Sequence, residues 1–150
     1  MQKIITLYLS VRAKLALAKD FPLLFMRLVL AYGFYGPAVK KWADINAIAD
    51  WFASLGLPAP KLQAYLAATT EITGVYLLIM GLATRFISIP LIITMLVAIK
   101  TVHWANGFDA GNNGYEIPLY YIIMLLTLFI YGPGRISVDN FINKKFLSKK

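Results

Sequence analysis

The chain has 150 residues and no cysteine. That excludes structural disulfides, thiol–disulfide chemistry, iron–sulfur clusters and thiolate metal sites together. It has one histidine, His103, so a haem held by two histidines of one chain is excluded as well. Charge is scarce: 15% of residues are charged and 59% are hydrophobic, where soluble domains run near about 25% charged. No P-loop, GxGxxG, serine nucleophile elbow or HExxH is present, so the familiar nucleotide and hydrolase chemistries have no foothold. Acidic residues are few, 7 against 15 basic, for a net charge of +8. In an apolar chain that excess points to lysines and arginines facing anionic lipid. A nucleic-acid partner is not expected.

What is there is a set of long apolar runs. Four stand out, at 22–41, 62–82, 86–104 and 117–131. A helical span needs roughly 20 apolar residues. The first three fit, and the fourth fits where Glu116 and its neighbours count or the bilayer thins. Helices satisfy their own backbone in lipid, and porin-like alternation is missing. The expected fold is therefore all-α, a four-helix transmembrane bundle forming one membrane domain over 1–150.

Both termini carry amphipathic patterns. "KIITLYLSVRAKLALAK" at 3–19 places Ile4, Tyr8, Val11 and Leu15 on one face, and Arg12 with Lys14 interrupts the run too early for a signal peptide. After "YGPGR" at 131–135, Val138, Phe141, Ile142 and Phe146 form an apolar stripe within 137–148. Both segments are expected to be interfacial helices. With four spans the termini share a side. Ten lysines and arginines fall on that side (Lys3, Arg12, Lys14, Lys19, Arg85, Arg135, Lys144, Lys145, Lys149, Lys150) and four on the other (Lys40, Lys41, Lys61, Lys100). The positive-inside rule predicts cytoplasmic N- and C-termini.

The polar residues inside the spans are the candidate functional ones. Glu71 lies near the middle of the second run, and a central charge costs roughly 2.5–3.5 kcal/mol on insertion scales. Ala67 and Gly74 flank it on its own helix face, which favours close helix contact and an inward side chain. Arg27 in the first run, or a neighbouring threonine, is the expected partner, although the two backbones are offset by roughly 9 Å along the membrane normal. Two readings stay open: a register-holding ion pair or protonated carboxyl, and a proton- or substrate-binding carboxylate. A second constellation maps to the outer end, with Lys40, Lys41, Lys100, His103, Asp109 and Glu116 around the Gly- and Asn-rich "HWANGFDAGNNGYE". It reads either as an ordinary wet rim of snorkelling lysines or as an outward-opening pocket. In the pocket reading His103 and Glu116 handle protons and lysines attract an anion or a quinone head. No metal motif is matched.

"RLVLAYGFYGPAVKK", "TEITGVYLLIMGLATR", "VAIKTVHWANGF" and "GYEIPLYYIIMLLTLFIYGPGRISVD" follow one another in this order. Together they resemble the DoxX family of bacterial four-span membrane proteins, over roughly residues 22–140. The resemblance implies association with membrane oxidoreductase complexes and oxidative-stress defence. Carried over, the family's recurrent polar residues are Arg27, Lys40 or Lys41, Glu71, Arg85, His103, Glu116, Arg135 and Asp139. Of these, Arg85, Arg135 and Asp139 are expected to clamp helix ends. With no intrinsic cofactor, an electron-transfer role would borrow a quinone or a partner subunit's centre. The expectation is a membrane subunit of such a complex, with the lipid bilayer, oxidoreductase subunits or further copies of itself as partners. A small-solute transporter or channel and a structural anchor are the alternatives.

Overall fold

A computed structural model of the chain describes residues 3–5, 9, 11–12 and 18–147. The interfacial helix expected over 3–19 lies mostly outside the described residues. Every regular element among the described residues is helical. They comprise α1 (Asp20–Ala43), α2 (Ile45–Ser54), α3 (Pro60–Met80), α4 (Thr84–Ala98), α5 (Glu116–Tyr131) and α6 (Val138–Ile142). Helix α4 continues through a π-turn at Ile99–His103 and a 3₁₀ turn at Trp104–Asn106. The helical stretches Asp20–Ala43, Pro60–Met80 and Thr84–Asn106 are each long and apolar enough to cross a membrane. Helix α5 has 16 residues, roughly 24 Å at 1.5 Å per residue, and falls short of a hydrocarbon core of about 30 Å.

Local chemistry sets the boundaries. Pro60 opens α3, where its missing amide hydrogen costs nothing. Gly81 closes α3 in the left-handed region at φ 65°. Helix α2 was not anticipated as a separate element. Its signals were nonetheless in the sequence: Asp44 caps it by accepting from the Ala47 amide at 3.0 Å, and Gly56 follows it at φ 73°.

Helices α1 and α3 meet along matched seams. Arg27, Ala31, Phe34, Ala38 and Lys41 recur at spacings of four and three, as do Ala64, Ala68, Glu71, Val75 and Leu78. Apart from Lys41, which is half-buried, all of these are buried. That is the heptad rhythm of antiparallel helices packed like a coiled coil. Helix α5 packs mainly on α4, and α4 also meets α3. The core cluster draws on Leu30, Ala31 and Phe34 from α1, Val75 and Leu78 from α3, Ile87 and Leu91 from α4, and Leu125 and Leu128 from α5. Apart from Phe34, which reaches the cavity wall, these residues belong to the half of the bundle nearest the chain termini. Outward-facing side chains are strongly apolar, among them Phe25, Phe86, Ile93, Ile123 and Phe129. Lipid covers this surface; water would leave too large an apolar area exposed.

The terminal end is closed by polar contacts. Asp139 accepts from the Ala83 amide at 2.9 Å and the Thr84 amide at 3.3 Å. Ala83 itself has no side chain able to cap α4, so a residue far along the chain supplies the missing acceptor. Arg85 donates to the Ile130 carbonyl at 3.1 Å, in the last turn of α5. Asp20 accepts from the Arg135 amide at 2.8 Å and faces the Arg135 guanidinium at 3.5 Å. Ser137 caps α6 through the Asn140 amide.

Candidate functional site

The expected Glu71–Arg27 pair does not form. Glu71 is 2% exposed and is bonded by the Lys41 ammonium, at 3.0 Å to one carboxylate oxygen and 2.7 Å to the other. Arg27 is fully buried and instead donates to the carbonyls of Leu78, at 3.2 Å, and Ile136. The reason lies in side-chain direction. In a helix the Cα–Cβ bond tilts toward the N-terminus. Helix α1 starts at the terminal end of the bundle, so Arg27 leans toward that end and away from Glu71. Lys41 leans the same way, which carries its ammonium inward from the loop end. Helix α3 runs oppositely, so Glu71 leans toward the loops and meets it. The sequence places Lys41 in the outer constellation, as a rim lysine or an anion-attracting group of an outward-opening pocket, and not beside Glu71; its place on the 27–31–34–38–41 seam is the signal for an inward side chain.

Beyond the core the bundle opens. A cavity of about 1040 Å³ occupies the loop-end half, between α1, α2, α3, α4 and the start of α5. That is at the upper end of ordinary ligand sites, about 300–1,000 Å³. Its wall is mainly apolar, with Phe34, Trp51, Phe52, Met95 and Tyr121 among the lining residues. Lys41, Glu71, Lys40, Thr70, Thr94 and His103 supply the polar groups. Pro37 adds another feature: it has no amide hydrogen for the Gly33 carbonyl one turn back, and both residues line the cavity. Gly33 is required by close approach, because a Cβ there would meet the Tyr121 ring and hydroxyl.

The outer constellation divides. His103 lines the cavity, and its Nδ1 lies 2.8 Å from the Asn113 carbonyl. Lys100, on the same π-turn, is exposed and is not among the lining residues. Glu116 is engaged in holding the loop: it accepts from the Ala110 amide at 3.0 Å and from the Tyr120 hydroxyl at 2.8 Å. Asp109 caps the short turn at Ala110–Asn112 through the Gly111 amide. Glu116 and Asp109 are thus spent on loop structure, and the expected His103–Glu116 proton-handling pair is not assembled in the cavity. Trp42 and α2 were the contributions least visible beforehand: Trp42 donates to the Ala68 carbonyl at 3.2 Å, and Trp51 and Phe52 bring α2 to the cavity wall. Among the described residues no group of acidic or histidine side chains could hold a metal ion.

The fold and site define a class: a membrane-embedded helical bundle, sealed at one end and hollowed at the other into a ligand-sized cavity with an ion pair on its wall. Comparison with known proteins places it further. The chain belongs to the DoxX family, whose model matches residues 22–104. It is 33% identical over 135 residues to an uncharacterized protein of Haemophilus influenzae, covering 85% of this chain and 87% of that one. It is 28% identical over 123 residues to a Bacillus subtilis protein named "Putative oxidoreductase CatD", covering 81% and 87%. It is 30% identical over 127 residues to the inner membrane protein YphA of Escherichia coli, covering 81% and 91%. No solved structure matches the chain.

Proposed function

We propose that this chain is the membrane subunit of a quinone-linked oxidoreductase complex and that the cavity receives the quinone ring. The observation that supports this is the cavity itself, mainly apolar and ligand-sized, with the Lys41–Glu71 pair on its wall in a chain free of thiolate ligands. The oxidoreductase name of the Bacillus subtilis relative favours the same class. When bound, a quinone supplies an acceptor for two electrons and two protons; the electrons come from a redox centre on a partner subunit. Lys41 donates a hydrogen bond to a ring carbonyl oxygen, and Glu71 holds that ammonium in place. The aromatic wall, Phe34, Trp51 and Tyr121, excludes water from the ring. His103 stands at the loop end, where a proton can pass between the cavity and the aqueous phase. In this reading four spans place both termini in the cytoplasm, and the cavity opens on the outer face of the inner membrane.

The test is purification in mild detergent followed by mass spectrometry of extracted small molecules. Quinone retained in roughly stoichiometric amount is the expected result. Uptake of a small solute into liposomes containing the protein, with no quinone retained, would replace this reading with a transporter. Neither result would leave a structural anchor.

A further inference from the structure

We infer that the cavity is loaded sideways, from within the bilayer, through a gap between α3 and α4, and that its ligand therefore carries a lipid-soluble tail. This rests on the quinone reading above and adds the route and the tail. The two helices are consecutive and joined by a tight turn, with Gly81 and Ala83 both in the left-handed region. They are packed near that turn, where a Cβ on Gly74 would press on Leu91 at 2.9 Å. Past Leu91 the packing loosens, with Ile92 and Met95 only partly buried against the core. Thr84, Ile87, Ser88 and Leu91 are the buried residues of α4, and none of its residues from Ile92 to Ala98 is buried.

The residues bordering the gap face two ways. Leu66 on α3 and Ile93 on α4 each line the cavity yet are 57% and 55% exposed. Val97 does the same one turn further out, at 38%. Both helices cross the membrane, so whatever part of these side chains faces away from the cavity meets lipid. Pro90 supplies a physical cause for the divergence. It removes the hydrogen bond to the Phe86 carbonyl, the common cause of a helix bend, and it too lines the cavity. The opposite wall, by contrast, is sealed by the α1–α3 seam and by Tyr121 packed edge-on against Phe34 at 5.4 Å. A ring seated against Lys41 would send its tail out between Leu66 and Ile93, into hydrocarbon. A small hydrophilic anion would gain nothing from such an opening.

The absence of cysteine makes the gap directly testable. The full chain carrying Leu66→Cys and Ile93→Cys is reconstituted in lipid nanodiscs and bridged across the gap by a short bis-maleimide with a cleavable disulfide. Binding of a benzoquinone with one isoprenoid unit and one with about ten units is followed by quenching of tryptophan fluorescence, Trp51 being on the cavity wall. The unbridged protein should take up both. The bridged protein should lose at least about tenfold in affinity for the long-tailed quinone, keep the short-tailed one within about twofold, and recover on reduction. Equal binding of the long-tailed quinone before and after bridging would overturn the sideways route while leaving the quinone reading intact. Loss of both quinones on bridging would also overturn it, because selectivity for the tail would be missing. If the unbridged protein binds neither quinone, the proposed function fails, and the inference with it.

Discussion

Arg27 and Lys41 occupy equivalent positions on one helical seam and do different work. Arg27 lies where the end of α3 and the 132–137 segment turn carbonyls toward it, and its guanidinium donates to two of them, Leu78 and Ile136. Lys41 lies where the seam meets the cavity, and it neutralises a carboxylate that would otherwise be stranded in an apolar bundle. Glu71→Gln removes that neutralisation. Breaking a fully buried pair costs about 3–5 kcal/mol. A smaller loss is expected here, because the Lys41 side chain is 15% exposed and can turn toward the cavity. Changing both residues, Lys41→Met with Glu71→Leu, should restore stability in detergent unfolding while abolishing quinone retention. A double variant as unstable as the single one would show that the pair is not what holds these helices. Gly81 is the other sensitive position. Its φ is 65°, and a Cβ would lie 2.1 Å from an Arg27 guanidinium nitrogen. Gly81→Ala should therefore cost more than about 1 kcal/mol, visible as a lowered unfolding midpoint.

Helices in this bundle are capped from a distance. The first turn of α4 takes its acceptor from Asp139, and the last turn of α5 takes its donor from Arg85. The 132–140 segment thus fastens three helices: α1 through Arg27 and Asp20, α4 through Asp139, and α5 through chain continuity. Losing a helix cap costs about 0.5–2 kcal/mol. Asp139→Ala should fall in that range and Asp139→Asn nearer its lower end, since the amide keeps one acceptor oxygen. Limited proteolysis of the two variants gives the check: cleavage after Arg135 should quicken in the order wild type, Asn, Ala. Equal cleavage in all three would mean that Asp139 does not hold the segment down. Helix α2 has the opposite character. It packs on α3 with Ala49 as its one buried residue and is held at its start by the Asp44 cap.

The whole molecule is asymmetric along its axis, with a polar clamp at one end and a hollow at the other. In the topology expected from sequence, ten basic residues fall on the side of the termini against four, and this motivates the proposed cytoplasmic termini. A fluorescent protein fused after Lys150 should light up in the cytoplasm; activity from a periplasmic phosphatase fused there would invert the topology and turn the cavity inward. The C-terminal lysines belong to the same argument. Lys144 and Lys145 follow the apolar residues Phe141 and Ile142, and each basic residue near an anionic surface contributes about 1 kcal/mol. Tryptic cleavage at 144–145 should be slower in nanodiscs of anionic lipid than in zwitterionic ones, and high salt should erase the difference. Identical rates at low salt would remove the tail from the membrane surface.

Length, hydropathy and spacing were enough to reach the all-helical membrane class, because a helix in lipid is dictated by local composition and by its own backbone hydrogen bonds. The need for Glu71 to face inward was equally local, a matter of what a carboxylate costs in hydrocarbon. Its partner was not. Arg27 and Lys41 are both basic and both on the seam facing α3, and only the antiparallel register and the tilt of their side chains decide which one reaches Glu71. The cavity was likewise beyond one-dimensional reading. It lies where α4 carries no buried residue past Leu91 and α2 supplies a further wall, so its lining comes from residues as far apart as Gly33 and Tyr121. Such a space depends on where helices stop touching, and the periodicity of a single helix carries no record of its neighbours' departure.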